Sequence, residues 1–477
     1  MTVVPAERNS PLVAFVALVV SAAATYLATG LHPIWWLMWL APIPILLAST
    51  RLPGRMTFLA AFASWFIGGL NMWTYYHAIL EMPLPVIAIV LVGSALLFAL
   101  AVLAFRRARR ASVWRAAFIF PAFWVSLEFL SAAFSPHGTA GNIGYTQMNF
   151  LPALQIASIT GIWGISFCIT LFAATVATLL GSSGPADGKR GLAFAVGVFL
   201  LAVLGFGVVR LHSTAEATDT MKVGLVASDL PQNILTESSA ETLRLMREYA
   251  AQAERLAAQG AQAVVIPEKV SVVLDSDLAQ IDGVLSQTAA EVHATIVVGV
   301  IHPTGGAKWN EAREYSPDGT IRTYKKHHMV PGFESKLTVG TSRTTWQEQS
   351  GKWGMAICKD MDFPKLSREY GRDGVGLMLV PAWDFKADGW LHGRMGILRG
   401  VEEGFSIARS PKQGILTVTD DRGRVLAEKE SSIAPFATVI VDVPVSHGST
   451  LYSHFGDWFA WLNVVGGIIL LVSRKKS

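Results

Sequence analysis

The chain has 477 residues, of which 52% are hydrophobic and only 16% are charged. An ordinary soluble protein carries about 25% charged residues, so this composition argues against a simple soluble domain and favours a membrane protein. The formal net charge of +4 comes mostly from basic residues beside apolar stretches, and the polar part of the chain lacks the basic and aromatic clusters of a nucleic-acid site. We therefore expect a membrane-embedded protein without a nucleic-acid partner.

Apolar stretches follow one another from about residue 11 to residue 211, and one more closes the chain. A helix that crosses the hydrocarbon layer needs about 20 apolar residues. The sequence predicts about eight spans, near residues 11–30, 33–50, 56–80, 84–105, 116–134, 151–180, 191–211 and 455–473. This gives an N-terminal transmembrane domain of about seven helices (1–211), a polar domain (212–450), and a last span with a basic tail (451–477).

Arginine and lysine occur in every second loop between these spans. The basic positions are Arg51, Arg55, Arg106, Arg107, Arg109, Arg110, Arg115, Lys189, Arg190, Arg474, Lys475 and Lys476. Basic loops stay in the cytoplasm, so both termini are predicted to be cytoplasmic and the polar domain extracytoplasmic. Cys358 is the sole cysteine of that domain and Cys168 lies in a span, so no disulfide framework is possible there. In an oxidising compartment a free thiol is prone to oxidation, which disfavours a free cysteine that has no function.

The polar domain alternates strand and helix patterns. Ser238 and Glu241 form a capping box before an amphipathic helix. Further helices are predicted near 276–293, from Pro364 and over 390–403, and a hairpin turn at 316–319. The predicted strands are 221–228, 263–268, 295–301, 320–324, 353–358, 376–380, 405–411, 414–420 and 436–443. This alternation predicts layered α/β packing, in which functional residues gather where strands end.

Three titratable residues stand at predicted strand ends: Glu268, Lys326 and Cys358. A thiolate can attack a carbonyl group, a carboxylate can take up the thiol proton and return it, and an ammonium group can stabilise the oxyanion. These are the residue types that acyl transfer through a thioester needs. Each is common in a purely structural role, since a lone strand cysteine usually packs as a small apolar side chain.

Metal binding is the other chemistry that this region could suggest. His327 and His328 are adjacent, and neighbouring residues on a strand point to opposite faces, so the sequence predicts neither a metal site nor a cofactor. Lys359 would depress the pKa of Cys358 if it faced the thiol, whereas strand geometry points it to the other face. The sequence leaves the role of Lys359 open.

The motifs around these residues resemble those of the carbon-nitrogen hydrolase (nitrilase) superfamily. They are Pro267-Glu268, Tyr324-Lys325-Lys326-His327-His328-Met329, Ala356-Ile357-Cys358 with Asp360, Phe363 and Pro364, and Arg399-Gly400-Val401-Glu402-Glu403. The resemblance implies an αββα sandwich with a catalytic Glu268, Lys326 and Cys358 triad. It also implies supporting roles for Glu334, which would hold the lysine, and for Asp360.

The apolar half is similar to a membrane-bound acyltransferase branch of that superfamily. The similarity lies in Trp124-x-x-x-Glu128, in Gly144-Tyr145-x-Gln147, and in the stretch from Gln155 through Gly161 to Gly164. It implies an enzyme of the cell inner membrane with a periplasmic catalytic domain. Such an enzyme would move a fatty acyl chain from a phospholipid, through a cysteine thioester, to the N-terminal amine of diacylglyceryl-cysteine in a lipoprotein.

One departure from that branch keeps an alternative open. The stretch between Lys326 and the cysteine strand is shorter than in the acyltransferases and closer to the length found in soluble amidases. The alternative is a membrane-anchored nitrilase-like amidase that uses the same three residues to hydrolyse a carbon-nitrogen bond. A scaffold that merely retains the fold is disfavoured, because all three residues are present.

Overall fold

The computed structural model describes residues 10–181, 186–213, 219–433 and 435–472. The chain divides into a helical unit, Met1–Phe134, Gly141–Val209 and Asp457–Ser477, and an α/β unit, Ser135–Ala140 and Arg210–Gly456. The segment Ser135–Ala140, expected only as a loop between two spans, therefore belongs to the α/β unit. The basic residues of the C-terminal tail lie outside the described residues, and the predicted domain limits and membrane orientation stay predictions.

Sixteen α-helices occur in the described residues, together with shorter 3-10 and π turns. They are α1 (Ser10–Ala28), α2 (Leu37–Leu40), α3 (Ile43–Ala48), α4 (Gly54–Gly69), α5 (Leu84–Arg109), α6 (Val113–Phe134), α7 (Leu151–Leu154), α8 (Ala157–Thr160), α9 (Ile162–Leu180), α10 (Ala186–His212), α11 (Ser239–Ala257), α12 (Asp275–Val292), α13 (Pro364–Arg372), α14 (Gly389–Glu403), α15 (Leu451–Phe455) and α16 (Trp458–Val472).

Five helices of the described chain are long and apolar enough to cross a membrane. They are Pro11–Ala28, Leu84–Arg109, Val113–Phe134, Ile162–Leu180 and Gly188–His212, and each lies in a region predicted to span. The other three predicted regions contain shorter helices. Region 33–50 is split between α2 and α3, where Pro42 and Pro44 interrupt the apolar run. Helices α4 and α16 have 16 and 15 residues. Those three spans stay predictions.

A polar network inside the helical unit is centred on Glu128 of α6. One carboxylate oxygen accepts a hydrogen bond from Ile143 N at 2.9 Å, and the other accepts one from Asn142 Nδ2 at 2.9 Å. Asn142 Oδ1 in turn accepts hydrogen bonds from Gly144 N and from Ser166 Oγ. A carboxylate is costly between apolar helices unless it is hydrogen-bonded. The network fixes the 3-10 turn at residues 143–147, which contains the Gly144-Tyr145-x-Gln147 motif of the sequence resemblance.

The α/β unit contains two six-stranded sheets, ordered β12-β1-β2-β3-β4-β5 and β11-β10-β9-β8-β7-β6. The central strands β1 to β3 of one sheet and β7 to β9 of the other are parallel, and their flanking strands are antiparallel. The strands are β1 (Thr220–Ala227), β2 (Ala263–Val265), β3 (Thr295–Thr304), β4 (Ala307–Tyr315), β5 (Ile321–Lys325), β6 (Thr344–Glu348), β7 (Gly351–Met355), β8 (Leu377–Trp383), β9 (Ser406–Lys412), β10 (Ile415–Thr419), β11 (Val425–Glu430) and β12 (Ala437–Pro444).

The core explains the layering. Buried side chains from both sheets, such as Val265 and Leu379, meet between the sheets. On the outer face of the first sheet, Tyr249 of α11 packs with Val264, and on the outer face of the second, Tyr370 of α13 packs among the buried residues of β8. Each central strand is apolar on both faces, as a strand covered on both sides must be. The predicted αββα sandwich is confirmed.

The structure corrects several predicted elements. Strand β7 ends at Met355, so Cys358 lies beyond the strand, in the 3-10 turn Cys358–Asp362. Strand β2 ends at Val265, two residues before Pro267, which has no N–H to donate. Two edge strands, β6 and β11, were not predicted, because their Thr-, Glu- and Lys-rich sequences carry little of the apolar alternation on which strand prediction depends.

Candidate active site

Glu268 follows β2 at the edge where the parallel strands end. Its side chain is 1% exposed, and its backbone N–H donates to Ala382 O at 3.2 Å. The neighbouring strand approaches so closely that a Cβ added to Gly299 would lie 2.4 Å from Glu268 Cα and 2.8 Å from Pro267 O. Glycine at 299 therefore lets the Pro267-Glu268 segment lie directly against β3.

Lys326, the first residue after β5, points its ammonium group between two buried carboxylates. Its Nζ lies 2.9 Å from Glu268 Oε1 and 2.8 Å from Glu334 Oε2. Asn310 Nδ2 donates to Glu268 Oε1 at 2.6 Å and to Glu334 Oε1 at 3.0 Å. Burial lowers the pKa of Lys326, but Glu268 and Glu334 more than offset this and raise the pKa above its usual value. Lys326 is therefore a fixed cation.

Cys358 begins the 3-10 turn that follows β7. Its φ of 44° lies in the left-handed region, which costs a non-glycine residue roughly 1–3 kcal/mol and is typical of functional sites. The Sγ atom donates to Trp383 O at 3.5 Å, and the residue is 8% exposed. Burial and the negative charge of Glu268 raise the pKa of the thiol to about 12, against the opposing effect of Lys326. At rest the site thus holds a neutral thiol beside a carboxylate.

The three predicted residues are therefore brought together from three strand ends. Glu268 bonds directly to Lys326, and both act electrostatically on Cys358. A carboxylate that accepts hydrogen bonds from Asn310 and Lys326 on one oxygen, a fixed cation and a largely buried thiol can together perform nucleophilic attack with proton transfer. Glu334 lies where the resemblance implied, on the lysine. The catalytic roles themselves stay predictions.

Asp360 anchors the nucleophile turn to the lysine segment. One carboxylate oxygen accepts hydrogen bonds from His327 N at 3.1 Å and His328 N at 2.8 Å. The other accepts from Ile357 N at 3.1 Å and Tyr324 Oη at 2.8 Å. His327 and His328 thus follow β5 rather than continuing it, so the expectation of two histidines alternating on a strand was wrong. Asp360 ties together the segments that carry Lys326 and Cys358.

Lys359 has partners of its own. Its Nζ lies 3.1 Å from Asp362 Oδ2 and 3.3 Å from Nδ1 of His137, which belongs to the Ser135–Ala140 segment. Burial and the nearby Lys359 charge lower the pKa of His137 to about 4, so this imidazole is neutral at physiological pH. Because Lys359 lies in a 3-10 turn, the strand argument about its direction was wrong. Its charge is balanced by Asp362.

A second ion network lies next to the site. Arg409 donates to both oxygens of Asp384, and His392 Nδ1 lies 3.4 Å from carboxylate oxygens of Asp384 and Asp388. Ligand atoms of Asp384, Asp388 and His392 lie within 4.8 Å of one another, a spacing that could hold a metal ion. The side-chain chemistry does not fit one, since Arg409 already neutralises Asp384 and, against the effect of burial, the two aspartates raise the pKa of His392 to about 9.

Sequence reasoning missed the polar residues that complete the site. Asn310 contacts both glutamates from the middle of β4, where nothing in the sequence marks it. Lys269 Nζ lies 2.6 Å from Glu334 Oε1, and Lys412 Nζ donates to Lys269 O at 2.8 Å. Lys269 could have been noticed, because it directly follows Glu268. Trp383, whose carbonyl accepts from Cys358, ends β8.

Comparison with known proteins gives two family matches on this chain. Residues 11–175 match the apolipoprotein N-acyltransferase N-terminal domain, and residues 223–404 match the carbon-nitrogen hydrolase family. The apolipoprotein N-acyltransferase of Geobacter metallireducens is 28% identical over 95% of this chain and 94% of its own length. That of Haemophilus ducreyi is 22% identical, over 94% of this chain and 95% of its own.

Solved structures similar to this chain come from the nitrilase superfamily. A Saccharomyces cerevisiae member of its branch 10 is 20% identical, with a TM-score of 0.40, and the match covers 46% of this chain and 90% of that one. An amidase from Nesterenkonia sp. is 19% identical, with a TM-score of 0.41, over 51% of this chain and 96% of its own. With family matches in both halves and relatives aligned over nearly its whole length, the chain is similar to apolipoprotein N-acyltransferases in its apolar part and in its α/β part.

Proposed function

We propose that this protein moves a fatty acyl chain from a phospholipid, through a thioester on Cys358, to the N-terminal amine of diacylglyceryl-cysteine in a lipoprotein. The observation that carries the proposal is that similarity to acyltransferases includes the apolar helices as well as the α/β unit. An amidase that shared only its catalytic domain with these enzymes would match in the α/β half alone. The activity is that of an N-acyltransferase.

In the first half-reaction, Glu268 takes the thiol proton while Sγ of Cys358 attacks the ester carbonyl carbon of the phospholipid. Lys326 stabilises the negative charge that develops on the carbonyl oxygen. The carbon–oxygen bond to glycerol breaks, and Glu268 returns the proton to the glycerol oxygen. The products are a lysophospholipid and an S-acyl enzyme.

In the second half-reaction, the neutral α-amine of the lipoprotein attacks the thioester carbonyl. Glu268 takes a proton from the amine and delivers it to the departing sulfur, and an amide bond replaces the thioester. Water must be kept from the thioester in the interval. The 1% exposure of both Glu268 and Lys326 and the 8% exposure of Cys358 support such exclusion.

The protein is a membrane protein with several apolar helices of spanning length. We place its α/β domain on the periplasmic side of the inner membrane, with both termini in the cytoplasm. Support for this orientation comes from the arginines in the last turn of α5, including Arg106 and Arg107, because basic residues at the ends of spans and in the adjoining loops stay in the cytoplasm. Both proposed lipid substrates are then available in the same leaflet.

The test uses full-length protein in detergent with phospholipid and a synthetic diacylated lipopeptide. Transfer predicts triacylated lipopeptide and lysophospholipid in equal amounts, and neither product with Cys358→Ala. The amidase alternative predicts ammonia from small amides and no triacylated lipopeptide. The second result would replace the transferase proposal with the hydrolase.

A further inference from the structure

Glu268 has a second cationic neighbour besides Lys326. Lys269 places its Nζ 2.6 Å from Glu334 Oε1 and 3.5 Å from Glu268 Oε1. Lys326 Nζ contacts the other Glu334 oxygen at 2.8 Å and the same Glu268 oxygen at 2.9 Å. Two carboxylates and two ammonium groups thus form a closed ring in which each carboxylate contacts both lysines.

The backbone at Lys269 is shaped to close this ring. Consecutive residues of an extended strand point to opposite faces, so Glu268 and Lys269 would diverge if β2 simply continued. Instead Lys269 has a φ of 50°, in the left-handed region that non-glycine residues rarely adopt. Its carbonyl oxygen is held at 2.8 Å by Lys412 Nζ. This left-handed backbone directs the side chains of Glu268 and Lys269 into the same site, as expected of backbone strain that is retained for function.

Other charges also face Glu268. Lys326 and Glu334 come from the segment after β5, Cys358 from the turn after β7, and Lys412 from β9. Burial raises the pKa of Glu268, and the charges of Lys326 and then Lys269 outweigh burial and lower it. Without Lys269, Lys326 would be the one ammonium group left in the ring to balance two carboxylates. The carboxylates of Glu268 and Glu334 would then take up a proton more readily.

We propose that Lys269 is a positioning residue for the acyl transfer, which keeps Glu268 and Glu334 ionised together so that Glu268 is free to accept the proton of Cys358. The identity of the acyl group rests on the proposed function, but the charge balance does not. The side chain of Lys269 is 13% exposed and that of Lys326 is 1% exposed. Lys269 therefore closes the ring on the side that is more accessible to solvent.

The test measures how fast the Cys358 thiol of full-length protein reacts with a pyridyl disulfide between pH 3 and 8, by mass spectrometry of the Cys358 peptide. Protonation of Glu268 removes a negative charge near the thiol, so the plot of log rate against pH bends where Glu268 titrates. In the wild type the bend lies below this range, because the lysine charges lower the pKa of Glu268 to about 2. We expect Lys269→Met to bring the bend into the measured range, above pH 3, and Lys269→Arg, which keeps the charge, to return it below that range.

Lys308→Met, at an exposed position on β4, is the matched control and should leave the bend in place. In a plot of the rate of lysophospholipid release against pH, the fall in rate at acidic pH should move in the same direction as the bend. A Lys269→Met variant that shows no bend between pH 3 and 8 overturns the inference about Lys269, whether or not the protein transfers acyl groups. A wild-type protein that releases no lysophospholipid overturns the proposed function instead, and the thiol measurement still decides on Lys269.

Discussion

Replacement of Asp360 by asparagine tests whether one buried carboxylate holds the nucleophile turn on the lysine segment. Asp360 is fully buried and accepts hydrogen bonds at 2.8 to 3.1 Å from the backbone N–H groups of Ile357, His327 and His328 and from the Tyr324 hydroxyl. The His328 ring nitrogen Nδ1 also lies 3.1 Å from the oxygen that the two histidine amides share. Asparagine has one side-chain oxygen, whereas aspartate has two. Its NH2 group must then face either the Ile357 amide and the tyrosine, or the two histidine amides.

The first orientation costs less, because the Tyr324 hydroxyl can rotate to accept from the new NH2 group. The Ile357 amide still loses its acceptor, and an unsatisfied buried donor costs about 1–3 kcal/mol. The two histidine amides exchange a charged acceptor for a neutral one, at about 0.5–1 kcal/mol each. The sum is roughly 2–5 kcal/mol, which corresponds to a fall of about 5–15 °C in the melting temperature of a domain of this size.

The assay follows alkylation of Cys358 in full-length, detergent-solubilised protein as the temperature rises, because the thiol becomes reactive when the α/β core opens. Asp373→Asn is the matched control, since its ion pair with Arg343 is partly open to solvent and surface pairs contribute at most about 1 kcal/mol. A melting temperature of Asp360→Asn that equals that of the control would refute the anchoring role.

Three further predictions concern the chemistry of the site. Because burial and Glu268 raise the pKa of Cys358 to about 12, the thiolate fraction keeps growing with pH, and alkylation of the resting enzyme should accelerate about tenfold per unit from pH 7 to 10 without levelling off near 8.5. Glu334→Gln, which leaves the two lysines with one carboxylate, should lower the rate of lysophospholipid release about 10²-fold. Glu334→Asp keeps the charge and should lower the rate less. Equal rates in the two variants would contradict this prediction. Gly299→Ala, whose Cβ would lie 2.4 Å from Glu268 Cα, should displace that segment and cost about 10²-fold in rate, whereas Gly283→Ala, which has open space around it on α12, should leave the rate unchanged.

Much of the α/β unit could be predicted, because its strands are apolar runs and its site residues follow them. Cys358, Lys326 and Glu268 lie near strand ends, where layered α/β folds gather their functional groups. Prediction failed where long-range contacts override the local pattern. The left-handed backbone of Cys358 and Lys269 depends on packing against β8 and β9 and leaves no mark in the sequence.

The helical unit shows the other limit of sequence reasoning. Hydropathy located the long helices α5, α6 and α9, because membrane insertion depends on local apolar length. It did not show that Pro42 and Pro44 divide region 33–50, nor that the Ser135–Ala140 segment joins the α/β unit. That segment belongs there through contacts such as the hydrogen bond from Thr139 N to Asp362 O at 3.2 Å, which no local pattern encodes.

The central claim is that Cys358 carries the acyl group. Full-length protein should be incubated with phospholipid in the absence of any acceptor, digested, and examined by mass spectrometry for a fatty-acyl mass on the peptide that contains Cys358. We expect this adduct in the wild type, its removal when a diacylated lipopeptide is added, and its absence in Cys358→Ala. Triacylated product formed by Cys358→Ala, or an acyl group found on another residue such as Cys168, would contradict the account.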